Sequence, residues 1–185
     1  MFRLVKDGEF ESPQEAAWLF CAGELPVERA RELANHWLIT VEATDALIGF
    51  EVECLSATKP LAWWWLKPLF EQALESLCAE ILEEGVALSR VAAQQTERFV
   101  TGRMPREEFV YFLDRLWQDR DFDFPESFEK FAKATKFCEL WHIATDYDMY
   151  PPSQYPSGFK DNIDASLDDA ARRAHEKIKA SGFTS

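Results

Sequence analysis

The sequence predicts a mainly α-helical (α+β) fold: a bundle of about five to seven helices with a small antiparallel sheet near the N-terminus. Three observations lead there. From Lys59 onward, apolar residues recur at helical spacing. Period-two alternation is confined to two short stretches, Ile39, Val41 and Ala43 alternating with Thr40 and Glu42, and Phe50, Val52 and Cys54 alternating with Glu51 and Glu53. Proline, glycine and serine stand where helices start and stop. With 185 residues, 47% of them hydrophobic, the chain can bury a sizeable core, and its composition excludes a collagen, a disordered tail and a disulfide-dense miniprotein.

The opening Phe2-Arg3-Leu4-Val5-Lys6 has strand character and supplies a third candidate strand, ended by the turn pair Asp7-Gly8. Ser12-Pro13-Gln14-Glu15 starts the first helix: Ser12 caps, Pro13 takes the first helical position, and Glu15 completes a capping box. A second helix begins near Pro26, with Val27, Ala30, Leu33, Ala34 and Trp37 on one face. The two alternating stretches follow as half-buried strands joined around Thr44-Asp45. Over 66–82, Leu66, Leu69, Phe70, Ala73, Leu74, Leu77, Cys78 and Ile81 form an apolar stripe opposite Lys67, Glu71, Glu75 and Glu80.

Gly85 marks a break or cap, and the next helix reaches Val100 with Gly102 as its C-terminal cap. Pro105 opens another, with Phe109, Phe112, Leu113 and Leu116 inward and Glu107 and Glu108 in the first turn, where the helix dipole favours carboxylates. Pro125 opens one more, turning Phe128, Phe131, Thr135 and Cys138 inward. The stretch from Asp146 to Asp164 is rich in Pro, Tyr, Ser and Asp and reads as an irregular connector. Ser166, Asp168 and Asp169 then start a last helix that has only Leu167, Ala171, Ala174 and Ile178 to bury. The expected organisation is one globular domain over 1–145, with an α+β portion over 1–58 and a helical portion over 59–145. The connector and final helix follow over 146–185.

The N-terminal stretch lacks the apolar run of a signal peptide, and the cluster Trp63-Trp64-Trp65 is cut off by Lys59 and Lys67 before it reaches membrane-spanning length. Cys21, Cys54, Cys78 and Cys138 are scattered without a CxxC pair, which reads as buried free thiols in a cytoplasmic protein.

Few residue patterns carry chemistry. Asp119, Asp121 and Asp123 have the spacing that opens a calcium loop. Phe124 stands where the sharp turn needs glycine, and Lys130 where the bidentate glutamate belongs, so the three aspartates read as a solvated acidic loop and a candidate partner surface. Glu139 and His142 form an ExxH pair, the spacing that di-iron carboxylate bundles use, but the second ExxH pair of such bundles is missing, so His142 reads as a partly buried, hydrogen-bonded side chain. Glu32 and His36 are helix neighbours of the ordinary i,i+4 kind. There is no GxSxG elbow, P-loop or GxGxxG. Three successive tryptophans span too wide an arc to be buried together, so at least one of Trp63, Trp64 and Trp65 is expected at a rim, a pocket or a partner surface, with Trp63 and Trp64 as candidate partner-binding residues.

Charge is the most informative remaining signal. The chain carries 33 acidic and 20 basic side chains, a net charge of -13. Such a field repels polyanions and argues against direct nucleic-acid or anionic-membrane binding. Glu42, Glu51 and Glu53 lie on the polar side of the expected hairpin and should project to solvent together as a docking surface. The leading expectation is a non-enzymatic, cytoplasmic, acidic protein-binding module without a cofactor. Its concrete version is an inhibitor or immunity-type protein that occludes a basic partner such as a toxin or effector. The alternatives are a metal-dependent helical enzyme built on Glu139 and His142, and a binder of small apolar ligands among the aromatic-rich helices.

Overall fold

The computed structural model describes residues 10–57, 60–118, 123–148 and 158–182. Among them are nine helices and no strand, so the helical bundle holds while the helix number exceeds expectation and the small sheet is absent there. The candidate strand over 2–6 lies outside the described residues. By internal contacts the chain groups into two compact units, residues 1–87 and 88–185, with the division inside a helix.

The first unit holds α1 (Pro13–Cys21), α2 (Val27–Thr40), α3 (Asp45–Ser56) and α4 (Trp63–Ser76). The Ser12 hydroxyl accepts from the Glu15 N–H, and the Glu15 carboxylate accepts from the Ser12 N–H, completing the expected capping box. Pro26 precedes α2, whose buried face is the expected Val27, Ala30, Leu33, Ala34 and Trp37. Trp37 is fully buried, and its indole Nε1 is satisfied there by donating to the Glu11 carbonyl at 2.6 Å. Phe70 of α4 gathers Phe20, Trp37, Phe50 and Trp63 around it, with ring centroids 5.0–6.3 Å apart.

The expected hairpin is the helix α3, entered from the end of α2. Thr44 caps it, its Oγ1 accepting from the Leu47 N–H at 3.2 Å. Helical spacing then puts Leu47, Phe50, Glu51 and Cys54 on the inner face, against α2 and α4. Alternation and helical spacing agree on Phe50 and Cys54 over so short a window. Val52 tells them apart, and it is exposed.

The stripe expected over 66–82 is shorter than its pattern. α4 ends at Ser76, Cys78 takes a left-handed φ of 59°, and Cys78 and Ile81 are exposed. Gly85 lies in the first turn of the next helix, α5 (Glu84–Val100), rather than before a cap.

The second unit contains most of α5, then α6 (Arg106–Gln118), α7 (Glu126–Thr135), α8 (Phe137–Asp148) and α9 (Phe159–Ala180). Gly102 has φ +73° and closes α5, as its place in the sequence suggests. Phe99 stacks on Phe109 with centroids 4.4 Å apart, joining α5 to α6. The helix expected from Pro125 is two helices, because Lys136 adopts φ 62° and breaks it; Cys138 falls on α8 and is half-buried.

The final helix starts at Phe159, earlier than Ser166, and buries Ile163, Ala170 and His175 besides the four expected residues. It packs on α7 and α8 and is therefore a docked core element. Residues 149–157 of the expected connector lie outside the described residues, while 146–148 belong to α8. Arg106 ties α6 to α9, donating to Asp164 at 3.1 Å and to both oxygens of Asp168 at 2.9 and 2.8 Å. Tyr147 of α8 donates to Asp164, and burial together with that carboxylate pushes its phenol well above the usual range.

Candidate functional site

The three glutamates expected on one solvent face separate. Glu42, in the link from α2 to α3, and Glu53 are exposed. Glu51 is buried and pairs with Arg31 of α2 at 3.2 Å. Its place on the inner face of α3 follows from the helix, in which Glu51 stands one turn after Leu47. The neighbouring thiol of Cys54 is pushed up to about 11, first by burial and then by the Glu51 charge.

What α3 turns outward is apolar. Ile48, Val52 and Leu55 stand at i, i+4 and i+7, a line about 10 Å long on one side of the helix, and Leu55 is 66% exposed. Ile39 at the end of α2 is 87% exposed, and Val41 in the following link is exposed too. Asp45 stands one turn before Ile48 on the same flank. Among the described residues, Glu42, Asp45 and Glu53 make no ion pair. Arg29 and Arg31, the two cations within residues 10–57, are already engaged by Glu11, Glu32 and Glu51. Residues 1–87 carry 16 acidic and 6 basic side chains, a net charge of -10. The result is a narrow apolar strip on the same stretch of chain as exposed carboxylates that have no ion pair among the described residues.

The tryptophans divide. Trp63 donates its Nε1 to the Leu25 carbonyl at 2.8 Å and stacks edge-on against Phe20, so it is a core residue at a rim. Trp64 is 80% exposed.

Asp119 and Asp121 lie outside the described residues, and Asp123 is exposed. Phe124 packs against Trp117 and Phe128, and Lys130 pairs with Glu126 on its own helix. Glu139 is engaged by Lys136 at 3.0 Å and Arg173 at 3.4 Å, and both cations hold its carboxyl below the usual range. His142 is exposed rather than partly buried. Among the described residues, no three His, Cys, Asp or Glu side chains converge as a metal site would require.

Cys21, Cys54, Cys78 and Cys138 are free; Cys54 is buried, Cys21 and Cys138 are half-buried, and Cys78 is exposed against expectation. Among the described residues, no helix is long and apolar enough to cross a membrane.

Comparison with protein-family models, curated proteins and solved structures gives no match. Sequence reasoning missed Ile48, Val52 and Leu55 because the strand pattern assigned Val52 to a buried face. The usable signal was Thr44-Asp45, a helix start followed by apolar residues at i, i+4 and i+7.

Proposed function

We propose that residues 1–87 form a protein-binding module whose α3 face receives a basic, amphipathic helix of another protein. Binding covers the partner's cationic surface; occlusion is the mechanism, and no chemistry on the partner is needed. An inhibitor or immunity-type protein acting on a basic toxin or effector is the concrete version.

One observation carries this reading: the exposed line Ile48, Val52 and Leu55, bordered by carboxylates that lack counterions among the described residues. Apolar anchors at this spacing suit a helix laid across them. A neutral partner would desolvate Glu42, Asp45 and Glu53 without compensation, whereas a basic one compensates them and associates faster. The same reading places the protein in the cytoplasm, with the four free thiols as its support.

The test uses a synthetic helical peptide of about 14 residues with leucines on one face and lysines on the other, beside a control with glutamates for lysines. The lysine peptide should bind the full chain saturably, and Val52→Asp should weaken it by about tenfold. That substitution adds negative charge, so a purely electrostatic attraction would strengthen instead. Unchanged or tighter binding to Val52→Asp, or equal binding of both peptides, refutes the reading.

A further inference from the structure

The second unit holds a cavity of about 440 Å³ lined by Phe99, Val100, Gly102, Met104, Arg106, Asp168 and Arg172. Its size falls within the range of small-ligand sites. The apolar wall consists of Phe99, whose ring is stacked on Phe109, with Val100 and buried Met104. Gly102 contributes no side chain, and a Cβ built there would meet nothing within 4 Å, so this side of the cavity stays open.

The charged wall decides which ligands fit. Both oxygens of Asp168 accept from Arg106, and Asp164 accepts from Arg106 and Tyr147 with Lys160 at 3.6 Å. These carboxylates are satisfied and offer little to a cation. Arg172 is different. Its Nε donates to the Asp168 carbonyl at 3.2 Å, which fixes the guanidinium against its own helix. Among the described residues it makes no ion pair, so the remaining fork of donors is available. The Nε of Arg106 is buried and has no acceptor among the described residues. Free donors and a spare positive charge therefore stand beside an apolar wall.

We infer that this cavity binds a small organic monoanion, a carboxylate with an apolar body. The carboxylate meets Arg172 in the two-pronged geometry a guanidinium favours, and the body lies against Phe99, Val100 and Met104. The inference goes beyond the proposed protein-binding role and does not depend on it, since every lining residue belongs to 88–185.

The probes are 4-phenylbutyrate and octanoate, with 4-phenylbutyramide as the neutral counterpart of the first. They are titrated into the full chain labelled with carbon-13 at its methionine methyl groups. The sequence has three methionines, so replacing Met104 by Leu identifies its signal. At least one acid should bind saturably below about 10 mM and move the Met104 methyl signal. The amide should bind at least about tenfold more weakly than its acid, as the loss of a charge-assisted pair implies. Arg172 is exposed, so Arg172→Gln should fold normally and lose the acid by a similar factor. Failure of both acids to bind or to move Met104, equal binding of acid and amide, or full affinity in Arg172→Gln overturns the inference.

Discussion

The Glu51 carboxylate accepts from the Arg31 guanidinium at 3.2 Å, joining α3 to α2 where the buried side of α3 gives way to its exposed apolar line. Glu51 is almost wholly enclosed, while a third of Arg31 still meets solvent. Removing the carboxylate leaves a half-buried guanidinium without its partner, and removing the guanidinium strands a buried charge.

Glu51→Ala should therefore destabilise the first unit by about 1–3 kcal/mol, less than a fully buried pair because Arg31 keeps partial hydration. Glu53→Lys, two residues along on the exposed side, should change stability by no more than about 0.5 kcal/mol. Urea denaturation of the two variants compares them directly. Equal losses would show that the Arg31 pair does not hold α2 to α3.

The thiols should react in a definite order. Cys78 is exposed and should be modified first by an alkylating reagent at pH 8. Cys54 should be last: burial and the Glu51 charge push its thiol up to about 11, leaving about one molecule in a thousand as thiolate at that pH. Cys21 and Cys138, both raised by burial, should fall between. Peptide mass spectrometry along a time course reads the order, and Cys54 reacting as fast as Cys78 would contradict it.

His175 predicts an acid sensitivity in the second unit. Burial holds its imidazole below the ordinary value, Lys179 lowers it further, and Glu97 and Glu176 oppose both. Its Nδ1 is buried with no partner among the described residues. The unfolded chain takes up the proton near the ordinary value of about 6.5, before the folded chain does. Stability from the neutral ring is thus fully present above that pH and lost as pH falls through the folded value. Thermal midpoints at pH 7.5 and 5.5 should fall further apart in the native protein than in His175→Leu. An identical drop in both would remove His175 from the explanation.

Local signals were legible in the sequence. Ser12 and Glu15, the prolines at 26, 105 and 125, and Gly102 each act within a turn or two of their own position, so their effects follow from neighbouring residues. The inner faces of α2 and α6 repeat over more than two turns, long enough for helical spacing to exclude alternation. Phe50 to Cys54 does not repeat long enough, and its one discriminating residue, Val52, is apolar yet exposed. Lys136 gave no warning, because glycine and asparagine are the residues that normally adopt its left-handed conformation. The early start of α9 had a signal in Gly158 followed by Phe159, Ile163 and Leu167 at four-residue spacing, hidden beneath a Pro- and Tyr-rich composition. The candidate sites were least legible. Burial of Glu51 depends on Arg31 twenty residues away, and the Arg106 clamp reaches across 58 and 62 residues to α9.

The most direct measurement places a photo-crosslinking amino acid at Val52 in the native host, with exposed Asn35 of α2 as the control position. A basic protein captured from position 52 and not from 35, with the yield reduced when Glu42 and Glu53 are changed to Lys, is the predicted result. Capture no greater than at position 35, capture of a second copy of this chain instead, or a yield indifferent to the charge reversal would contradict docking of a basic partner on α3.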